Sequence, residues 1–386
     1  MRRFLQELKD FPKKCDWVLL LICLVTSAFG LVVIASSTSA AKFEGNARYI
    51  IIQMVSILIG VGAYAVMSSI DIEAMSERRS WLVIFNCLLL LMLIPFGTDA
   101  GTGNRSWLDF PLMPVNIQPA EICKITYVII MASVMNSHQN SISSIPSVIH
   151  MALHLGILVG LNMAMSRDAG VSLIFVFIFI GMAFSGGVHW GWFAVAIGGI
   201  ALLIPFAWPL LGEYQQERIL ILIDPTFDAQ GIGARYHSKI NLLSLTGGGL
   251  TGQGLFNGTR TQGGNLFAQH TDYIFSSIGE ELGFFGCVFV MLLQFAIIAR
   301  CVYVGMRCQD YIRRLVCYGA ASALMFQVLI NIGMCIGVMP VIGLTLPLIS
   351  YGGSSLVTIF AMLGLVSGAY ARPASLSHER YIQPPR

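Results

Sequence analysis

Charge is what this chain has least of. Only 11% of its 386 residues are Asp, Glu, Lys or Arg, against about a quarter in a soluble domain, so a water-soluble globular enzyme is excluded. The 23 basic and 20 acidic side chains leave a net charge of +3, too small a bias to argue for nucleic acid. Disulfide and metal frameworks are missing as well. The nine cysteines are odd in number, and Cys23, Cys87, Cys123, Cys287, Cys301 and Cys335 sit in or beside apolar runs without metal-like pairing. His138, His150, His154 and His189 are scattered, with no metal-ligand spacing. What remains is apolar: 56% hydrophobic residues and a mean hydropathy of +0.74. The chain is built to cross a membrane many times.

A helix needs about 20 mostly apolar residues to cross the hydrocarbon core. Ten stretches meet that need: residues 17–36, 49–70, 81–96, 117–135, 146–165, 169–187, 190–211, 283–305, 315–339 and 347–370. The expected fold class is therefore all-α, a polytopic membrane protein of about ten transmembrane helices. The first stretch is longer than a signal-peptide core, so it reads as an uncleaved anchor despite Ser39-Ala40-Ala41. Positive charges gather at Arg2, Arg3, Lys9, Lys13 and Lys14, at Arg78 and Arg79, at Arg307, Arg313 and Arg314, and at Arg372 and Arg380. That pattern puts both termini in the cytoplasm. No internal repeat is visible, which weighs against an inverted-repeat transporter.

The expected organisation is one membrane unit over 1–386. It has a cytoplasmic N-terminus at 1–16, a large extracellular loop at 212–282 between the seventh and eighth spans, and a cytoplasmic tail at 371–386. The long loop holds Gly247-Gly248-Gly249 but also apolar runs at 218–223 and 242–245. A disordered tether would lack those runs, so a folded loop on the outer surface is expected. A smaller extracellular loop, 97–116, carries Arg105 and Trp107 among glycines.

Three outward segments carry a resemblance. The first is Gly103-Asn104-Arg105-Ser106-Trp107-Leu108, followed by Gln118-Pro119-Ala120-Glu121. The second is His270-Thr271-Asp272-Tyr273-Ile274-Phe275, leading to Gly279-Glu280-Glu281-Leu282-Gly283. The third runs from Pro340-Val341-Ile342-Gly343-Leu344 through Pro347 to Ser350-Tyr351-Gly352-Gly353-Ser354-Ser355. Together they resemble the SEDS family of bacterial cell-shape, division and sporulation proteins over nearly the whole chain. The resemblance implies a peptidoglycan glycosyltransferase of the cytoplasmic (inner) membrane that polymerises lipid II and releases undecaprenyl pyrophosphate.

Arg218-Ile219-Leu220, Asp224-Pro225, Tyr236-His237 and Phe256-Asn257-Gly258-Thr259-Arg260-Thr261-Gln262 are most similar to the elongation branch of that family. Ile342 stands where division members often carry lysine. The neighbouring alternative is a division or sporulation paralogue. Ala120, Ile240-Asn241 and Thr246-Gly247-Gly248-Gly249 depart from the family's usual residues.

The implied reaction joins a sugar hydroxyl to an anomeric carbon whose leaving group is a lipid pyrophosphate. The hydroxyl needs a carboxylate base to take its proton. The pyrophosphate needs its charge neutralised rather than a proton, so cations replace the acid of a glycosidase pair. Asp272 is the best carboxylate, lying just before the chain returns to the membrane, and the resemblance implies that it is catalytic. Its plainer reading is a helix N-cap ahead of Tyr273-Ile274-Phe275. Glu280 and Glu281 are rivals, or a solvated pair on the helix leading into the eighth span.

Glu121 and Lys124 share one helical face, either as an ion pair fastening that helix or as a polar lining with Lys124 near the phosphates. Arg105 suits bidentate phosphate contact. Trp107 is a sugar platform or an interfacial anchor. Asp168, beside Arg167, matches a family aspartate that helps shape the cavity. Arg218, with Lys239 and Arg260, brings positive charge to the long loop. Ser350 and Ser354 belong to a small-residue segment that scaffolds the cavity or touches ligand.

Expected partners are lipid II, membrane lipids and a class B penicillin-binding protein, since the chain shows no transpeptidase domain of its own. Nucleic acid is not among them. These residues point to no definite cofactor; a divalent cation, Mg or Mn, fits the pyrophosphate chemistry, but no all-protein metal site is visible. Two rivals come from other classes: a lipid II flippase using Glu121, Lys124 and Asp168 as its path, and a non-catalytic scaffold. A flippase path carries polar groups through the full bilayer depth. Here the candidates cluster at the outer edge, which favours chemistry.

Overall fold

The computed structural model describes residues 11–40, 47–98, 105–109, 116–210, 216–217, 219–221 and 236–371. Arg218, Tyr214-Gln215, Asp224-Pro225, Gly103-Asn104 and the basic residues of 1–10 and 372–386 lie outside them. Eight helices among the described residues are long and apolar enough to cross a membrane. They are α1 (Trp17–Ser37), α2 (Ala47–Ser68), α3 (Arg79–Leu91, continued by a turn at Leu93–Phe96), α4 (Pro119–Ser137), α5 (Ile145–Met165), α9 (Ile274–Arg307), α10 (Tyr311–Cys335) and α11 (Gly353–Ala371). Two shorter apolar helices, α6 (Ala169–Ser185) and α7 (Trp190–Ala207), bring the bundle to ten. A further helix, α8 (Tyr236–Gly247), belongs to the long loop. Strand among the described residues is confined to β1 (Gly97–Thr98) and β2 (Trp107–Leu108), an antiparallel pair with Gly97 opposite Leu108.

Each expected span has its helix, but the eighth begins earlier than hydropathy suggests. The polar run from Ser276 to Glu281 falls within the expected loop 212–282, with Glu280 and Glu281 on a helix leading into the span, and α9 takes in the whole run from Ile274. Gly283 does not open the helix. It interrupts it, with φ 65° and ψ −161°, a conformation open to glycine. The glycine turn before it docks there: Phe284 N donates to Gly249 O (2.9 Å) and Phe285 N to Leu250 O (3.3 Å).

Helices alternate in direction, so the inter-span loops described below gather at one end of the bundle. At that loop end Ser36 Oγ, in the last turn of α1, donates to Glu281 Oε2 of α9 (2.5 Å). At the opposite end Arg300 of α9 donates to both Asp16 oxygens (2.9 Å each), and its guanidinium lies 5.0 Å from the Tyr303 and Tyr370 rings. Asp16 also caps α1 through Leu19 N (3.2 Å). A second ion pair at that end joins Glu73 to Arg313.

The centre of the bundle is α4 and α11, buried along most of their length. The backbones of α2 and α11 approach closely. A Cβ on Gly364 would lie 2.5 Å from Tyr64 O, and one on Gly368 would lie 2.6 Å from Ser68 O. Small residues four apart let two helix backbones touch where apolar burial gives no advantage over lipid. The periphery is the opposite. On α7, Trp190, Ile197, Leu202 and Phe206 are 68–73% exposed, and an apolar helix exposed all round faces hydrocarbon.

Candidate active site

Three consecutive carbonyls, those of His270, Thr271 and Asp272, are each held by a donor from another element. Tyr351 N donates to His270 O (2.8 Å), Ser350 Oγ to Thr271 O (2.7 Å) and Asn331 Nδ2 to Asp272 O (2.8 Å). Ser350 Oγ also accepts from Leu346 N (2.8 Å), and Asn331 Nδ2 donates to Leu344 O (2.7 Å). The second and third motif segments therefore meet here, 79 residues apart in the chain at Thr271 and Ser350. The cap reading of Asp272 is overturned: Tyr273 occupies the cap position of α9, and its side chain makes no capping bond. Asp272 is half-buried one residue ahead. Its carboxylate lies against the backbone of residue 343, where a Cβ on Gly343 would come within 3.7 Å of Oδ2.

On the far side of that segment stands Asp168. Gly170 presses on Ile342 O, which a Cβ would meet at 2.8 Å. Asp168 caps α6 by accepting from Val171 N (3.0 Å), and its other oxygen accepts from Gln118 Nε2 (3.0 Å). Gln118 N donates in turn to Ser354 Oγ at the head of α11 (3.2 Å). Asp168 thus bonds α6 and Gln118 rather than pairing with Arg167, which is exposed and holds a left-handed backbone (φ 54°). Burial pushes the Asp168 carboxyl up, the Val171 N–H pulls it back, and the charges of Glu121 and Lys124 act on it in opposite senses.

Those two charges sit one turn into α4. Lys124 Nζ lies 2.8 Å from one Glu121 oxygen and 2.7 Å from the other, and both side chains are buried. Thr358 Oγ1 of α11 is 3.0 Å from Glu121 Oε2. The pair therefore fastens α4 to α11 directly behind Gln118. Arg105 is exposed ahead of β2, with Nε donating to Gly97 O (3.3 Å). Trp107 is half-buried on the ribbon. Ser106 Oγ, between them, reaches Ser166 O (3.4 Å) and ties the ribbon to the Asp168 loop.

Glu280 and Glu281 are not a solvated pair, being 0% and 1% exposed. Glu280 accepts from Arg260 N (2.9 Å), Thr261 N (2.8 Å) and Thr261 Oγ1 (2.6 Å). Glu281 accepts from Ser36 Oγ (2.5 Å) and Gln262 Nε2 (2.8 Å). Donors of this number hold a buried carboxylate in place, so the two glutamates clamp the long loop and α1 onto α9. Arg260 joins the clamp, 3.8 Å from Glu280 and donating to Leu243 O of α8 (3.3 Å).

The histidines are less scattered than the sequence suggests: the His138, His150 and His154 rings follow one another at 5.0 and 4.8 Å. Among the described residues, however, no three His, Cys, Asp or Glu side chains could hold a metal ion. Asn331 escapes a reading of the sequence. Its one signal is a lone amide within an apolar span, where an amide must find partners.

The sequence profile of the cell cycle proteins of FtsW, RodA and SpoVE type matches residues 16–372. The chain belongs to the SEDS family. One SEDS relative, the peptidoglycan glycosyltransferase MrdB of Escherichia coli (strain K12), is 32% identical over 324 residues, spanning 83% of this chain and 85% of MrdB. Among solved SEDS structures, the rod shape determining protein RodA of Thermus thermophilus aligns with TM-score 0.67 and 26% identity over 96% of this chain and 98% of that one. A chain from a peptidoglycan synthase complex that coordinates polymerization and crosslinking aligns with TM-score 0.77 and 30% identity, over 96% and 99%.

Proposed function

We propose that this chain is a peptidoglycan glycosyltransferase that polymerises lipid II into glycan strands during cell elongation and shape maintenance, with Asp272 as its general base. The observation that carries the reading is the triple hold on the His270-Thr271-Asp272 backbone. It fixes one half-buried carboxylate against a glycine that has no side chain to fill the space opposite. A base held in this way needs little rearrangement to meet a hydroxyl at hydrogen-bond distance. Ile342, in place of the lysine frequent in division members, supports the elongation branch.

In the reaction, the sugar hydroxyl of an incoming lipid II attacks the anomeric carbon that ends the growing strand. The bond from that carbon to pyrophosphate breaks, and its electron pair leaves with undecaprenyl pyrophosphate. The hydroxyl proton passes to Asp272 and from there to water. Arg105 and Arg218 neutralise the departing pyrophosphate, and Trp107 stacks on a sugar ring. Glu121, Lys124, Asp168 and Ser354 form the polar wall behind it. Ser350, its hydroxyl engaged with Thr271 and Leu346, shapes the site through the backbone.

On this reading the loop end faces the outside of the bacterial cytoplasmic membrane and both termini face the cytoplasm, within one unit over 1–386. A cysteine introduced as Asn257→Cys, in the extracellular loop at 212–282, should react with a membrane-impermeant maleimide added outside. Reaction from the cytoplasmic side alone overturns the orientation and the site with it.

Cross-linking falls to a class B penicillin-binding protein bound beside the chain. Purified protein given lipid II should form glycan strands, and faster with that partner present. Binding of lipid II without strands, even with the partner, sinks the polymerase reading in favour of a flippase or scaffold. Against a flippase stands the closure of the Asp16–Arg300 and Glu73–Arg313 pairs on themselves at the far end, so that neither pair is free to line a path there.

A further inference from the structure

Asn331 lies in the last turns of α10, fully buried in an otherwise apolar stretch. Its Nδ2 donates to Asp272 O (2.8 Å) and Leu344 O (2.7 Å). Both partners are carbonyl oxygens, so only the NH2 end of the amide can face them, and both its hydrogens are used. Its Oδ1 has no hydrogen-bond partner among the described residues. Burying an amide oxygen unpaired costs stability, and a leucine of similar size would avoid that cost. What the amide adds is its two donated bonds.

Those bonds reach both sides of one gap. Asp272 O belongs to the residue whose carboxylate is the proposed base. Leu344 O follows Gly343, whose backbone stands against that carboxylate. The holds from Ser350 and Tyr351 act on Thr271 and His270 and leave residues 343–344 untouched. We infer that Asn331 is the positioning residue for Asp272, a single amide that sets the spacing between the base and the facing 343–344 backbone. The inference rests on the reading of Asp272 as base. Asn331 acts through the backbone, and its removal should misplace the carboxylate while leaving lipid II binding alone.

Asn331→Leu keeps the volume and removes both donors. With the purified full chain and lipid II, kcat should fall about tenfold or more, since misplacement by about 1 Å can cost up to about a hundredfold. KM for lipid II should stay within about twofold of the parent, on the same principle that binding and orientation separate. In an Asp272→Asn background, followed in single-turnover incubations, Asn331→Leu should cost little more, because the group it positions is gone. A parent-like kcat, a fall confined to KM, or a full further loss in the double variant overturns the inference. If the leucine variant does not accumulate, Asn331→Ser, which keeps one donor at that place, carries the same comparison. A near-parent rate for Asp272→Asn alone sinks the base reading whatever Asn331 does, so the two failures are told apart.

Discussion

Asp272→Asn should fold, bind lipid II and polymerise it about a hundredfold more slowly than the parent, the usual scale for loss of a general base. The substitution keeps the size of the side chain and one acceptor. It cannot take a proton from the attacking hydroxyl. Structural damage is a poor explanation for such a loss, because Asp272 is held through its carbonyl and Tyr273, not Asp272, occupies the cap of α9. Glu281→Gln is the control. It disturbs the clamp to Ser36 and Gln262 and should lower the thermal midpoint more than the rate per folded molecule. Strand formation by Asp272→Asn at near the parent rate, read on gels of labelled glycan, removes Asp272 from the chemistry.

Glu121→Ala should give the largest loss of stability. Lys124 is then left buried with its ion-pair partner deleted, which costs about 3 kcal/mol or more. The bond from Thr358 is lost at the same time, so the contact between α4 and α11 loosens. Glu121→Gln keeps an acceptor for both Lys124 and Thr358. Its thermal midpoint in detergent should stay closer to the parent, while polymerisation falls through the altered field at the polar wall. Full activity in both variants would reduce the pair to a fastening between helices.

The bundle was legible because a membrane span announces itself within about 20 residues. Where the reading slipped, the deciding partner lay far away in sequence. Glu280 and Glu281 read as rivals of Asp272 or as a solvated pair, because two carboxylates in a row belong in water. Their donors, Ser36 and residues 260–262, are 245 and about 20 positions distant and invisible to any local pattern. Glu121 and Lys124 were legible as a pair since three residues of helix bring them together. The bond from Gln118 to Asp168 spans 50 positions and was not. Asp272 stood out by residue type and by its place before a span, although the same features suggested a cap. Asn331 did not stand out, because one amide among apolar residues says nothing until its two carbonyls are seen.

The triple hold also bears on how the molecule comes into being. Residues 270–272 leave the ribosome long before Asn331, Ser350 and Tyr351 are made. By then α9 has enough apolar length to enter the bilayer, but the carbonyls at its head have none of their native donors. Contacts this distant in sequence close late. A nascent chain halted before Asn331 therefore carries the aspartate, the glycine turn and α9, with none of the donors that hold residues 270–272. The hold on residues 270–272 closes only once the chain has been made as far as Tyr351, so an unfinished copy in the membrane lacks the arrangement on which the proposed base depends.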